Sequence, residues 1–127
     1  MKIRGYLIFL WVFFVLFSFG SISVAKENSI ENEIFLPVVK DGKWGFINQN
    51  GKMVISPQFD SADPFQEGLA PVRLGDRVGY IDQNGKMAII PLFDDAFQFK
   101  DGFALVRIGK KWGYINKKGD YIWSPTK

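Results

Sequence analysis

Residues Gly42–Pro57 read GKWGFINQNGKMVISP, and the chain contains two similar stretches, DRVGYIDQNGKMAIIP in Asp76–Pro91 and KKWGYINKKGDYIWSP in Lys110–Pro125. The three copies are 34 residues apart, and residues 38–71 match residues 72–105 at 16 of 34 positions without a gap. Self-similarity at a fixed period is typical of repeat proteins. The chain is therefore interpreted as an array of copied structural modules.

Glycine and proline exclude a helical array, although helical tetratricopeptide repeats share this period. Within one period these residues stand at Gly42, Gly45, Gly51, Pro57, Pro64, Gly68 and Pro71. Interior proline costs a helix about 3 kcal/mol, and no segment between these breakers is long enough for two helical turns. The short segments instead alternate and favour β-formers: Trp112 and Tyr114 share one face of a strand predicted over residues 111–116.

The turn between the second and third strand of each copy is also predicted from the sequence. The turn Asn48-Gln49-Asn50-Gly51 has counterparts in the second and third copies, where Gly85 and Gly119 stand at the fourth position. Asn or Asp at the first position caps a type I turn with its own side chain. Glycine at the fourth position fits a left-handed residue, which gives a hairpin with a β-bulge.

A third predicted strand precedes each of these hairpins, over Glu33–Lys40, Glu67–Leu74 and Asp101–Ile108. The predicted fold class is therefore all-β, a repeat array of three three-stranded antiparallel meanders. A single meander cannot bury its apolar face alone, so the three are expected to stack on one another.

The predicted units cover about residues 33–57, 67–91 and 101–125, and links at 58–66 and 92–100 join them. In this phase the array consists of three whole meanders, with no partial copy at either end of the predicted domain.

Residues 1–25 have the order of a secretory signal peptide: two basic residues, the uncharged apolar run Tyr6–Gly20, and small residues that end at Ala25. Cleavage after Ala25 is predicted, and an uncleaved membrane anchor is the alternative. Residues 26–32 would then form a short linker to a β domain at 33–127. The predicted localisation is outside the cytoplasm: either secreted, or periplasmic and at the cell envelope.

Charge and composition exclude several classes of function. The chain has 16 basic and 13 acidic residues, and two of the basic residues belong to the predicted signal peptide, so the rest is nearly neutral. That balance does not favour nucleic acid as a partner. The sequence has no Cys and no His, which excludes the Ser-His-Asp triad, the Cys-His dyad and the usual zinc ligand sets.

Carboxylates remain as candidates for chemistry, at Asp60, Asp63, Asp94 and Asp95. A pair of them could serve a glycosidase, but they stand at turn and link positions, where Asp initiates turns. Asp82–Gly85, like the stretch that begins at Asp60, resembles part of a calcium loop, yet neither places the bidentate acid at the required spacing. The sequence therefore predicts no enzyme, no metal and no cofactor.

The pattern as a whole resembles the WG repeat family of bacteria, and the likeness covers nearly all of the chain after residue 32. The signature positions of this pattern are Trp44, Gly45, Gly51, Phe59, Asp60, Gly68, Val78, Gly79, Gly85, Phe93, Asp94, Gly102, Trp112, Gly113 and Gly119. Val78 departs from the pattern, because it stands where the other copies have the signature tryptophan. The resemblance implies a β-rich, often exported repeat with no general enzymatic activity, and it assigns these positions a structural role.

The signature aromatics are expected to fill the core of the repeats: Trp44, Phe59, Phe93 and Trp112. Since Val78 is small, a void should form beside it, and Phe97 is expected to pack into that void because it replaces Asp63 of the first link.

Three aromatic residues break the repeat pattern and are the candidate exposed binding residues: Phe35, Phe97 and Trp123. Trp123 stands where the earlier copies have Ile55 and Ile89. The function predicted from these features is a non-enzymatic module that binds or scaffolds an unknown protein partner. The alternative is a carbohydrate-binding module that stacks exposed aromatics on a polysaccharide. Contact with a membrane is expected only through an uncleaved N-terminal segment.

Overall fold

The structure, a computed structural model, describes residues 33–124, and these residues form strands and turns without a helix. The strands are β1 Phe35–Lys40, β2 Lys43–Asn48, β3 Met53–Phe59, β4 Ser61–Ala62, β5 Ala70–Leu74, β6 Arg77–Ile81, β7 Met87–Phe93, β8 Asp95–Ala96, β9 Phe103–Ile108, β10 Lys111–Asn116 and β11 Tyr121–Trp123. No helix that is long and apolar enough to cross a membrane occurs in this part of the chain. The predicted signal peptide and linker lie outside the described residues.

Three antiparallel sheets follow one another along the chain. The first sheet has the order β1-β2-β3, the second β4-β5-β6-β7, and the third β11-β10-β9-β8. This architecture confirms the all-β prediction of three stacked meanders. It also adds a short strand to the second and third sheets, because Ser61–Ala62 and Asp95–Ala96 pair with β5 and β9. The chain thus enters each following sheet within a stretch that the sequence predicts to be a link.

The hairpin between β2 and β3 has the predicted conformation, as do its two copies. Gly51, Gly85 and Gly119 have φ of 80°, 80° and 86°. The Asn48 side-chain oxygen accepts the backbone N–H groups of Asn50 and Lys52, at 3.0 and 2.9 Å. This local hydrogen bonding fixes the turn, and the register of β2 on β3 shifts next to it.

The signature glycine is required because two backbones approach each other closely. A Cβ on Gly45 would lie 2.5 Å from the Ile55 carbonyl oxygen and 2.8 Å from the Pro57 nitrogen. A Cβ on Gly79 would lie equally close, 2.5 Å from the carbonyl oxygen of Ile89. The register shifts at this point, where β3 bends over β2. Any larger residue would push the two strands apart.

Each sheet has two faces, named here by their position in the stack. The front face of a sheet looks toward the following sheet, and the back face looks toward the preceding one. In the first core, the front face of the first sheet contributes Phe46, Ile55 and Phe59. The back face of the second sheet covers them with small and branched side chains: Ala62, Ala70, Val72 and Ile81.

The second core repeats this arrangement one unit later. The front face of the second sheet contributes Leu69, Tyr80, Ile89 and Phe93, and the back face of the third sheet contributes Ala104, Val106 and Ile115. The two faces differ because adjacent strand residues point to opposite sides, as Leu69 and Ala70 do. The repeated sequence thus encodes a repeated interface between successive sheets.

An aromatic residue from each link closes the edge of these cores. The Phe65 ring packs on Phe46 of the first sheet, with centroids 4.8 Å apart. One unit later, Phe99 packs on Tyr80 at 4.9 Å. Aromatic pairs of this kind contribute about 0.5–1.5 kcal/mol beyond their buried area. The links therefore join the sheets through packing as well as through the chain.

Candidate functional site

The front face of the third sheet has no following sheet to cover it among residues 33–124. Tyr114 lies at the position that Phe46 and Tyr80 occupy in the earlier units. Phe46 and Tyr80 are each 0% exposed, whereas Tyr114 is 44% exposed. A position that elsewhere belongs to the core is therefore on the surface here.

The neighbouring residues on this face are also large and apolar. On β9, Ala104 and Val106 point into the core, so the alternating Phe103 and Leu105 point outward. Leu105 lies opposite Tyr114 in the β9–β10 register. Trp123 pairs with Tyr114 on the other side and is 50% exposed. The result is an aromatic face across three strands.

A groove of about 640 Å³ crosses this face. Its apolar lining consists of Phe97, Phe103, Leu105, Tyr114 and Ile122. Polar and charged side chains lie at its border: Gln98, Lys100 and Asp101. An apolar floor with a polar rim is the usual composition of a recognition surface.

Trp112 lies on the same face, so the expectation that it fills the core is wrong. Trp112 is 40% exposed, and the Arg107 guanidinium lies 5.8 Å from the ring centroid. Phe97 flanks it, with the two centroids 6.0 Å apart. Trp44, its copy in the first sheet, is half-buried against the first core. The difference arises because a second sheet follows Trp44 and no described sheet follows Trp112.

Ion pairs hold the polar edge of this face and tie it to the second sheet. Asp95 pairs with Arg107 of its own sheet and with Arg73 of the second sheet, the latter at 3.4 Å. Arg73 also donates to the Asp94 carbonyl oxygen at 3.1 Å. The first sheet has Val39 in place of Arg73, so this network belongs to the second interface alone among the described residues. It fixes Arg107 beneath Trp112.

The signature carboxylates anchor turns. Asp60 accepts the Gly75 N–H at 2.7 Å and pairs with Lys43 at 2.5 Å. The hydrogen bonds from Lys43 and from the Gly75 N–H hold the pKa of Asp60 below its ordinary value of 3.8. Both partners stabilise the ionised form, which is the form that can tie the β5–β6 hairpin to the preceding sheet.

Asp94 repeats this role for the next hairpin. It accepts the Gly109 N–H at 2.5 Å and pairs with Arg77 at 2.5 Å. The Gly109 hydrogen bond, helped by the charges of Arg77 and two further arginines, holds the pKa of Asp94 below 3.8. Asp60 and Asp94 thus anchor turns, whereas Asp95 pairs with the two arginines at the second interface.

Val78 lies beside a cavity of about 200 Å³, as a missing tryptophan would leave. Asp63, Arg73, Asp95 and Phe97 are among the residues that line it. Phe97 is 51% exposed and packs beside Trp112, so the expectation that it fills this space is wrong. Phe97 lines the cavity without filling it, because its backbone is held on the third sheet by the Leu105 carbonyl oxygen.

The other candidate residues have the following places. Trp123 and Phe97 are exposed, whereas Phe35 is half-buried and meets Phe65 edge-on, at 5.8 Å between centroids. Gly68 and Gly102 are in tight turns with φ of 83° and 86°. The described residues contain no group of three or more acidic, His or Cys side chains that could hold a metal ion.

Burial also raises the pKa of a tyrosine between the second and third sheets. Tyr80 is fully buried, and its hydroxyl donates to the Phe97 carbonyl oxygen at 2.7 Å. Loss of contact with water raises the pKa of Tyr80 far above its ordinary value of 10.0. This hydrogen bond joins the second sheet to the third, so the residue serves the interface.

Sequence reasoning did not single out Tyr114, Phe103 or Ile122 as surface residues. Their types match core positions of the earlier units, so the pattern alone favours burial. The sequence carries no local signal of their exposure, because exposure depends on whether a following sheet covers them.

These features define an all-β repeat module: copied meanders, cores between successive sheets, and turns fixed by glycine and Asx side chains. The profile of the family described as WG containing repeat matches residues 44–77 and 79–112, more than half of the chain. The chain belongs to the WG containing repeat family. Comparison with curated proteins gave no match, and comparison with solved structures gave none either.

Proposed function

We propose that this WG repeat domain is a non-enzymatic binding module whose partner is a protein that docks on the front face of the third sheet. One observation carries the proposal: Tyr114 is 44% exposed at a position where Tyr80 is 0% exposed. Within residues 33–124, the front faces of the first and second sheets are both covered by another protein surface, the back face of the following sheet. A face of the same kind, left open, is therefore suited to a protein surface.

The surroundings of the face support a protein partner. Phe103, Leu105 and Ile122 add aliphatic and phenyl surface to the groove, and the charged residues are at its edge. Exposed apolar patches with a polar border are typical of protein–protein interaction sites. The structural use of Asp60, Asp94 and Asp95 in turns and ion pairs supports a role in binding rather than catalysis.

Capture from an envelope extract tests the proposal. The immobilised protein is compared with Tyr114→Glu, which places a charge in the middle of the face, and with Ile90→Glu as the matched control. Ile90 is also exposed but stands on β7, outside the groove. The expected result is a captured protein that Tyr114→Glu loses and Ile90→Glu retains. Equal capture by all three proteins would contradict the proposal.

Carbohydrate binding is the second candidate, because Trp112, Tyr114 and Trp123 are exposed on one face. Such rings can stack on the C–H faces of sugars. Pelleting with insoluble polysaccharides tests this function, with Trp112→Ala and Trp123→Ala as variants. Binding that both variants lose, together with no captured protein, would replace the first candidate by the second.

We also propose that the domain acts outside the cytoplasm, at the envelope or beyond it. The support is the sequence of residues 1–25, with a basic start, an uncharged apolar run and small residues before Lys26. Expression of the full chain in a bacterial host should give a product outside the cytoplasm that begins at Lys26. N-terminal sequencing checks this, and an unprocessed cytoplasmic product would contradict it.

A further inference from the structure

We infer that the protein partner of the open face is a second copy of this chain, so that copies stack head to tail. This inference rests on the proposed function and names the partner of the same face. Its basis is the repeat itself. The two internal interfaces are built alike, each from the front face of one sheet and the back face of the next. The described molecule carries the two sheet faces of a third such interface, one at each end, while the link aromatic and the short fourth strand of an internal interface have no counterpart there among the described residues.

The first half is the back face of the first sheet. Leu36, Val38 and Ile47 occupy there the positions of Ala70, Val72 and Ile81 in the second sheet. Ala70, Val72 and Ile81 are buried against the first sheet, whereas Leu36 is 46% exposed and Val38 and Ile47 are half-buried. Terminal repeats of a capped array usually turn a polar face outward. Among the described residues, neither outer face of the array is polar at these positions.

The turn glycines show how closely the halves fit. A Cβ on Gly85 would lie 3.3 Å from Ile55 of the preceding sheet, and one on Gly119 would lie 3.3 Å from Ile89. Gly51, the corresponding glycine of the first sheet, has open space around its Cβ position. In a continued stack, Gly51 of one copy would lie next to Trp123 of the other. Trp123 has the repeat position of Ile55 and Ile89, which lie next to Gly85 and Gly119.

The polar contacts of the second interface predict which residues meet at the third. Glu67 accepts the Gly102 N–H at 2.9 Å and pairs with Lys117 at 3.3 Å. At an interface between two copies, Asp101 of one copy would have the repeat position of Glu67. Gln49 of the next copy would have the repeat position of Lys117. Both residues are exposed in the described chain. They should therefore lie near each other only where two copies meet.

Such an interface joins different surfaces of two identical chains. Contacts of this kind continue from copy to copy unless the rotation closes a ring. The stack would extend the same interface that already repeats twice within one chain. A face-to-face dimer, in contrast, would stop at two copies and would leave the back face of the first sheet open.

Cysteine cross-linking tests this geometry, since the chain has no Cys of its own. The full chain is expressed as two single-cysteine variants, Asp101→Cys and Gln49→Cys, and the purified proteins are mixed with a short bismaleimide. The expected result is a cross-linked dimer in the mixture and none with either variant alone. Gln83→Cys is the matched control for Gln49→Cys, because it has the same place in the turn of the middle sheet. It should give no dimer with Asp101→Cys.

Two outcomes would overturn the inference. A dimer from Asp101→Cys alone would indicate two front faces against each other. No dimer in the mixture would indicate that copies do not stack. If a captured protein still depends on Tyr114 in that case, the inference fails while the proposed function stands; if nothing depends on Tyr114, both fail.

Sedimentation of the unaltered protein provides a measurement that needs no variant. The mass should rise with concentration and pass beyond two copies, and Tyr114→Glu should abolish the rise while Ile90→Glu keeps it. A mass of one chain at every concentration, or growth that stops at two copies, would overturn head-to-tail stacking.

Discussion

At the scale of single residues, equivalent positions in the three copies act as internal controls. Gly51 and Gly85 have the same φ of 80° and the same place in the turn, yet only at Gly85 would an added Cβ meet a preceding sheet. Val78 and the tryptophans at 44 and 112 likewise occupy one repeat position with different surroundings. Each comparison separates the cost of a local conformation from the cost of packing between sheets.

Gly85→Ala is expected to lose more stability than Gly51→Ala. Both alanines must adopt a left-handed conformation, which costs about 1–2 kcal/mol. At Gly85 the added methyl group also meets Ile55 at 3.3 Å, so about 1 kcal/mol more should be lost through overpacking. Denaturant unfolding of the two variants checks this expectation, and equal losses would show that the turn does not press on the preceding sheet.

Val78→Trp is expected to raise the free energy of unfolding by about 0.5–1 kcal/mol, because it fills the cavity beside this residue. The matched control is Val106→Trp, at a fully buried valine of the second core, where overpacking should cost about 1–3 kcal/mol. Thermal unfolding distinguishes them. A comparable loss in both variants would mean that the space beside Val78 cannot hold an indole.

At the scale of elements, the stack depends on hairpins that are tied to the preceding sheet. The β5–β6 hairpin is held by Asp60, which comes from the end of β3, and the β9–β10 hairpin is held by Asp94. Each carboxylate accepts a backbone N–H of a tight turn and binds one basic side chain. An ionised carboxylate is therefore part of the joint between successive units.

These carboxylates predict a loss of stability in acid. The folded-state pKa values of Asp60 and Asp94 are lowered from 3.8, so their contribution is present above about pH 4 and is lost as the pH falls through the folded values. Asp94→Asn should destabilise the protein at pH 7, and the difference from the unaltered protein should shrink toward pH 2. Unfolding curves across this range check it. Asp120→Asn, at an exposed position, is the control, and an equal pH dependence in both variants would contradict the assignment.

At the scale of the whole molecule, the sequence predicts the meanders well and the surface poorly. The 34-residue period, the Asx turn caps and the left-handed glycines act locally, so Gly51, Gly85 and Gly119 could be placed without a structure. The strand at Ser61–Ala62 escaped prediction, because its pairing depends on where the chain meets the next sheet.

The exposed face escaped prediction for a related reason. Trp112 has the residue type and the position of a core aromatic, and whether it is covered depends on a following sheet rather than on any neighbour in sequence. Phe97 illustrates the same limit. Its replacement of Asp63 suggested a filled void, but the strand that carries it directs the ring toward Trp112.

Oxidative footprinting of the free, dilute protein tests the central claim most directly, namely that the last front face of the stack is open. Tyr80 and Tyr114 occupy equivalent positions on the same strand of successive sheets and serve as a matched pair. Their exposed fractions are 0% and 44%, so hydroxyl radicals should oxidise Tyr114 readily and leave Tyr80 protected. Mass spectrometry of the peptides measures both rates. Equal protection of the two tyrosines in the dilute monomer would contradict the account.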